Sequence, residues 1–264
     1  MPNWVTNRLI VSGNDKDIKQ LFNNIKGDEA EQLIDFNKII PMPESLDITS
    51  GSVTDESIFW ALSKMNDEEI QRHIENLSRA PNILHKNLLS SLQSRFQIKD
   101  LPRIQNNANE FVPDEDMKKL GITDYESLGK TYLENLEKYG YTTWYDWCVA
   151  NWDTKWNAHD CYSLDEHSIE FQTAWSTPER IIKTLSEKYP SLEFEVSYAD
   201  EDFGYNVGKY TYQDGEIIEI YLPDGGSPEA NKLAEEILGY SPEEEYDELD
   251  DNSLPELEEP DMDI

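Results

Sequence analysis

The chain has 264 residues, with 55 Asp and Glu against 22 Lys and Arg, for a formal net charge of −33. A protein that binds DNA or RNA neutralises phosphates with Lys and Arg, so this balance argues against a direct nucleic-acid binder; the same field steers the chain toward basic protein surfaces, speeding association by roughly 10- to 1000-fold. A hydrophobic content of 38%, with seven Trp and fourteen Tyr, is enough to fill a core and excludes a wholly disordered chain, while two cysteines, Cys148 and Cys161, are too few for a disulfide scaffold, a four-thiolate zinc site or an iron–sulfur cluster.

Residues 4–12 set Val5, Asn7, Leu9 and Val11 against Trp4, Thr6, Arg8 and Ile10, the alternation of a strand, which Gly13 and Asn14 end. From Asp15 to Lys26, Ile18, Leu21, Phe22 and Ile25 recur at helical spacing. A long helical stretch is expected next, over Asp55–Met65, Asp67–Leu77, Asn82–Phe96 and Asp124–Lys138.

Downstream, Cys161–Leu164 and Ile169–Trp175 read as two strands around a turn at Asp165 and Glu166. Ser176, Thr177, Pro178 and Glu179 signal a helix start, Ile181, Ile182 and Leu185 supply its buried stripe, and Leu192, Phe194, Val196 and Tyr198 alternate as a further strand. The order strand, helix, two strands, helix, strand is that of the ferredoxin-like split βαβ fold, a name that refers to topology and implies no cluster. Asp214 and Gly215 join two more strands, Asn206–Tyr212 and Ile217–Leu222, as an extra C-terminal hairpin. Ser227 and Pro228 open a last helix that Gly239 ends.

The expected fold is therefore α+β, a ferredoxin-like antiparallel sheet from residues 1–26 and 144–240, with a mainly helical insertion at 27–143. Residues 241–264 hold twelve acids and no basic residue, and read as a disordered acidic tail. No segment approaches the ~20 apolar residues of a membrane span, and the N-terminus lacks the pattern of a signal peptide, so a cytoplasmic protein is expected.

Two sets of residues are candidate sites. Asp200, Glu201, Asp202, Asp214 and Glu216 are expected to share an exposed acidic face that binds a partner. Trp144, Trp147, Trp152 and Trp156, with His159, read first as core, but could instead line a ligand pocket that holds a base, a sugar or a cation by stacking. His159, Asp160 and Cys161, with Asp153, are ligand-type residues, for which a packed strand end is the preferred reading over a metal site. His73, His85 and His167 read as surface residues. With 55 acids in the chain, a pair of carboxylates carries no catalytic signal, and no phosphate loop, dinucleotide fingerprint, GxSxG or HExxH is present. No catalytic residue, metal or cofactor is expected.

Three segments, MPNWVTNRLIVSG at the start, FNKIIPMPESL at 36–46 and WYDWCVANWDTKWNAHD at 144–160, resemble the YubB ferredoxin-like family of phage and plasmid proteins. The resemblance implies a ferredoxin-like domain interrupted by a helical segment and supplies no active site. That family often has Gly after the residue matching Trp152, where this chain has Asp153, so the tight turn expected there is placed in question. Phages and plasmids carry small acidic proteins that disarm host defence, some of them by imitating DNA phosphates. The expectation is a non-enzymatic accessory protein that binds and inhibits a host nucleic-acid-handling protein through its basic surface, as a DNA mimic. It would contact neither nucleic acid nor membrane. The alternative is a small-ligand binder or enzyme with a Trp-lined pocket.

Overall fold

The computed structural model describes residues 3–79 and 100–241. The chain opens with strand β1 (Trp4–Ser12) and helix α1 (Asp15–Ile25), followed by α2 (Phe36–Ile39) and a 3-10 turn at Glu44–Leu46. Helices α3 (Ser52–Lys64), α4 (Asp67–Arg79), α5 (Leu101–Glu110), α6 (Glu115–Lys119), α7 (Tyr125–Tyr139) and α8 (Trp144–Trp152) come next. Strands β2 (His159–Ser163) and β3 (Ser168–Ala174), helix α9 (Glu179–Lys188), strands β4 (Glu193–Asp200), β5 (Val207–Gln213) and β6 (Glu216–Tyr221), and helix α10 (Pro228–Leu238) complete the order. Contacts divide the chain into two units: one holds the residues up to Ile34, Ala158–Thr177 and those from Ile182 on, and the other holds Asp35–Asn157 with Pro178–Ile181.

The first unit is built on one antiparallel sheet in the order β2-β3-β1-β4-β5-β6. Its first four strands have the ferredoxin-like arrangement, and the β5–β6 hairpin extends the sheet beyond β4. The fold is thus α+β and ferredoxin-like. Alternation in β1 has the expected result: Val5, Asn7, Leu9 and Val11 are buried. Leu9 lies opposite Ile169 on β3 and Val196 on β4, and Val11 lies opposite Phe194, so one register assembles one apolar face. In α1, Asn14 caps the start by accepting from the Lys16 N–H, and Ile18, Leu21 and Ile25 are buried. The turn between β5 and β6 has Asp214 at φ 50° and Gly215 at φ 77°, the two positive dihedrals that a two-residue hairpin of this twist requires. Helix α10 packs Ala230, Ala234 and Ile237 against Ala199 and Val207, and Arg8 donates to its Glu236 carbonyl at 2.6 Å.

The second unit has its own core, with Ile58, Ile104, Ile122, Leu128, Tyr132 and Leu133 buried together. Glu56 is buried beside it, and its carboxylate takes the Arg103 guanidinium at 2.7 Å and the Asn107 amide at 2.6 Å. A buried carboxylate is tolerated only when its oxygens are satisfied in this way. Helix α7 begins with a capping box: Asp124 accepts from the Ser127 N–H, and the Ser127 hydroxyl accepts from the Asp124 N–H. The Ser127 backbone N–H holds the Asp124 carboxyl below the usual carboxylate range. Asp124→Ala is expected to cost about 1 kcal/mol in urea denaturation at neutral pH. Because the folded-state value is depressed, that contribution is present above the unfolded value and is lost as pH falls through the folded one, so wild type and variant should converge in acid.

The structure departs from three expectations. The helical unit runs over Asp35–Asn157 rather than 27–143, because the Trp-rich helix packs on the insertion: the Trp152 indole donates to the Ile40 carbonyl at 2.9 Å, and the Phe36 N–H donates to Asn157 at 2.9 Å. His73 is buried rather than on the surface, with Nδ1 against the Glu137 carboxylate. The turn after Trp152 forms despite the absence of Gly, with Asp153 in the left-handed region at φ 62° and its carboxylate accepting from the Arg180 N–H at 2.8 Å and from its Nε at 2.9 Å. The helix expected at 82–96, His85 and the acidic tail from 242 onward lie outside the described residues.

Candidate functional site

Strand β1 begins, β3 and β4 end and β5 begins at one end of the sheet, and their loops meet there. The Trp175 N–H donates to the Asn3 carbonyl at 2.9 Å, the Glu201 N–H to the Trp4 carbonyl at 3.0 Å, and the Asp200 N–H to the Asn206 carbonyl at 2.9 Å. At the centre is the carboxylate of Asp200. One of its oxygens accepts from the Asn3 amide at 3.3 Å and the Asp202 N–H at 2.8 Å, and the other accepts from the Asn206 amide at 3.1 Å. The Asn206 amide also donates to the Trp175 carbonyl at 3.3 Å, tying the end of β3 to the same hub.

Asp200 is therefore not a surface residue: it is 5% exposed, because the alternation that buries Phe194, Val196 and Tyr198 carries it inward. Its role is to position the loop after β4. Glu201 and Asp202, which that loop carries, are exposed as expected. Asp214 and Glu216 are exposed too, but they flank the β5–β6 turn at the far end of β5. The five acids thus divide between two ends of the sheet and form no single cluster.

Two aromatic residues missed by sequence reasoning sit on the rim that Asp200 organises. Trp175 is 40% exposed and Tyr205 is 65% exposed. Trp175 has φ 75°, a left-handed conformation unusual for a bulky residue, which the surrounding hydrogen bonds hold in place. Tyr205 is fixed by its N–H bond to the Asp202 carbonyl at 3.1 Å, beneath a loop whose Gly226 N–H donates to the Gly204 carbonyl at 2.8 Å. The hydrogen-bonded loops at this end of the sheet thus carry two exposed aromatic residues, Trp175 and Tyr205, and two exposed acids, Glu201 and Asp202.

The tryptophan set is distributed differently from a pocket. Trp147 and Trp152 are buried core residues with rings 5.6 Å apart, edge to face, and Trp152 meets Phe36 in the same way at 5.7 Å. Trp144 and Trp156 are half-buried. The Lys155 ammonium lies 4.2 Å over the Trp156 ring and 5.6 Å from the Tyr145 ring, so the cation these aromatics hold comes from this chain. His159 belongs to the sheet unit, where its ring rests 5.4 Å from that of Trp4 and its Nδ1 is 3.0 Å from Asp160.

Among the described residues, no group of three or more His, Cys, Asp or Glu side chains is placed to share a metal ion. Burial pushes the Cys148 thiol up to about 12 and raises that of Cys161, so neither is an activated nucleophile at neutral pH. A concave surface lies elsewhere, an open groove of about 590 Å³ lined by Asp15, Lys16, Lys19, Phe22, Glu166 and His167. Its charges are mixed, with His167 Nε2 3.4 Å from Asp15. No helix among the described residues is long and apolar enough to cross a membrane.

Residues 151–241 match the ferredoxin-like domain in Api92-like protein. The match takes in Trp175, Asp200, Tyr205 and the β5–β6 hairpin, and leaves out β1 and most of the helical unit. Among solved structures, the crystal structure of a protein api92 from Yersinia pseudotuberculosis is similar to this chain at 13% identity, with 86% of this chain and 100% of that one covered and a TM-score of 0.40. The search of curated proteins gave no match.

Proposed function

We propose that this chain is a non-enzymatic binding protein that seats its acidic, aromatic rim on the basic nucleic-acid-binding surface of a host protein and so inhibits it. The observation that carries this reading is the exposure of Glu201, Asp202 and Tyr205 on the loop anchored by Asp200, and of Trp175 on the loop that Asn206 ties to the same carboxylate. Rigid Trp and Tyr side chains are the residues that dominate protein interfaces, and an aromatic face next to a carboxylate suits an Arg or Lys side chain, which it meets by cation–π attraction and ion pairing together. The net charge of −33 adds long-range steering toward such a surface. The phage or plasmid setting of this proposal rests on the sequence resemblance to the YubB family alone; in that setting the host target is a restriction, repair or other defence enzyme and the carboxylates stand in for DNA phosphates.

The test is a pull-down with the tagged chain from a nuclease-treated bacterial lysate, washed at low and high salt. The expected result is salt-sensitive enrichment of one nucleic-acid enzyme, with its capture reduced about tenfold or more by Trp175→Ala and by the double variant Glu201→Lys/Asp202→Lys. Capture that these variants leave unchanged would overturn the assignment of the rim.

A further inference from the structure

Strand β6 ends the six-stranded sheet, paired with β5 on one side, and among the described residues no strand lies on the other. All six of its residues are exposed. Such an edge presents unpaired N–H and C=O groups to any chain that can lie alongside, and proteins usually blunt it. The opposite edge is blunted in this way: β2 pairs with β3 at three positions only, its register shifts between His159 and Tyr162, and Asp160 sits at φ 43°.

Strand β6 is less protected, and its side chains are sorted by face. Its register shifts once, at Ile218, after which Glu219, Ile220 and Tyr221 pair regularly with Thr211, Tyr210 and Lys209. Ile217 lies opposite Tyr212 and Ile220 opposite Tyr210, while Leu222 lies over Gly208, where a methyl group would meet its Cδ2 at 2.6 Å. Ile217, Ile220 and Leu222 therefore continue the row of Tyr210 and Tyr212 on one face, at 45%, 54% and 50% exposure. The other face of β6 carries Glu219, opposite Thr211, and the exposed Tyr221, opposite Lys209; the strand opens with Glu216, and the exposed Ile218 lies at the register shift. No Lys, Arg or Pro interrupts it before Pro223.

We infer that the free edge of β6 is a strand-addition site for an extended partner segment in which Lys or Arg alternates with apolar residues. Apolar side chains of the added strand extend the isoleucine row, and its cationic side chains lie beside Glu219 and Glu216. Charge selects this occupant over a second copy of the chain, since pairing two β6 edges would set the same glutamates side by side between two bodies of net charge −33. The site adjoins the rim, because the loop after Leu222 brings Gly225 against the Tyr205 ring. The inference thus rests on the reading of the rim as a docking surface and names the form of the partner's chain.

The probe is a labelled seven-residue peptide alternating Lys with Ile, compared with two N-methylated versions that block alternate backbone N–H groups and leave the charge unchanged. The parent peptide is expected to bind the intact chain at low salt and to slow amide exchange over 216–222. One N-methylated version should bind about tenfold or more weakly, as should the parent peptide on Ile220→Asn and on Glu219→Gln chains. Equal binding of all three peptides, slowed exchange elsewhere, or a dimer that Ile220→Asn converts to monomer would overturn the inference. Failure here together with host-protein capture that depends on Trp175 removes strand addition and leaves the rim standing. Peptide binding at β6 without any host capture does the reverse.

Discussion

Gly129→Ala is expected to destabilise the helical unit by about 2 kcal/mol or more, the net of an overpacking cost near 3 and a helix-propensity gain near 1. Gly129 lies in the middle of α7 where it crosses α3, and a methyl group there would stand 2.0 Å from the Ser57 carbonyl oxygen and 2.8 Å from the Ala61 Cβ. The obstruction is backbone, so no side-chain rotation relieves it and the two helices must separate. Separation would loosen the packing of Ile58, Leu128 and Tyr132, all fully buried. Tryptophan fluorescence during urea denaturation is the readout, since Trp60, Trp144, Trp147, Trp152 and Trp156 lie in this unit. A variant as stable as wild type would contradict the close crossing.

Trp152→Ala is expected to cost more, about 3–5 kcal/mol. The indole fills the space between Phe36 and Trp147 and is 3% exposed, so its removal leaves a cavity bounded by rigid rings. The Ile40 carbonyl loses its donor at the same time. Trp152→Phe, which keeps part of the packing and loses the N–H, should fall between wild type and Trp152→Ala. Measured by thermal denaturation, a neutral Trp152→Ala would show that the ring is not part of a core and would favour a Trp-lined pocket.

Much of the sheet was legible because its local signals agree. The alternation of Val5, Leu9 and Val11, the turn at Asp165 and Glu166, and the Asp214-Gly215 pair each specify one conformation, and their order specifies the ferredoxin-like topology. Asp200 reads as a surface residue because it belongs to an acidic run, Asp200-Glu201-Asp202, although the two-residue period from Phe194 through Tyr198 points it inward. His73 follows the same pattern, since it lies three residues after Ile70 on α4 and so on the helix's partly buried side. The pairing of His73 with Glu137, 64 residues away, is a tertiary event that no local spacing announces.

Trp175 was not legible as an exposed residue. Counting Ile169, Phe171 and Thr173 forward by two gives Trp175 an inward position, but β3 ends at Ala174 and the chain turns through φ 75°. No residue type in that segment signals a positive dihedral. The spacing of the Trp-rich segment says that it is a helix but not what it packs on; Ile40 and Phe36 decide that from more than 100 positions away.

Direct competition tests the central claim most plainly. A host nucleic-acid enzyme recovered with this chain is loaded with labelled duplex DNA at low salt, and the intact chain is titrated in while polarisation is followed. The expected result is full displacement of the duplex, weakened steeply by added salt and by Trp175→Ala. A ternary complex in which the enzyme holds both the duplex and this chain would contradict the claim that the acidic rim occupies a nucleic-acid site.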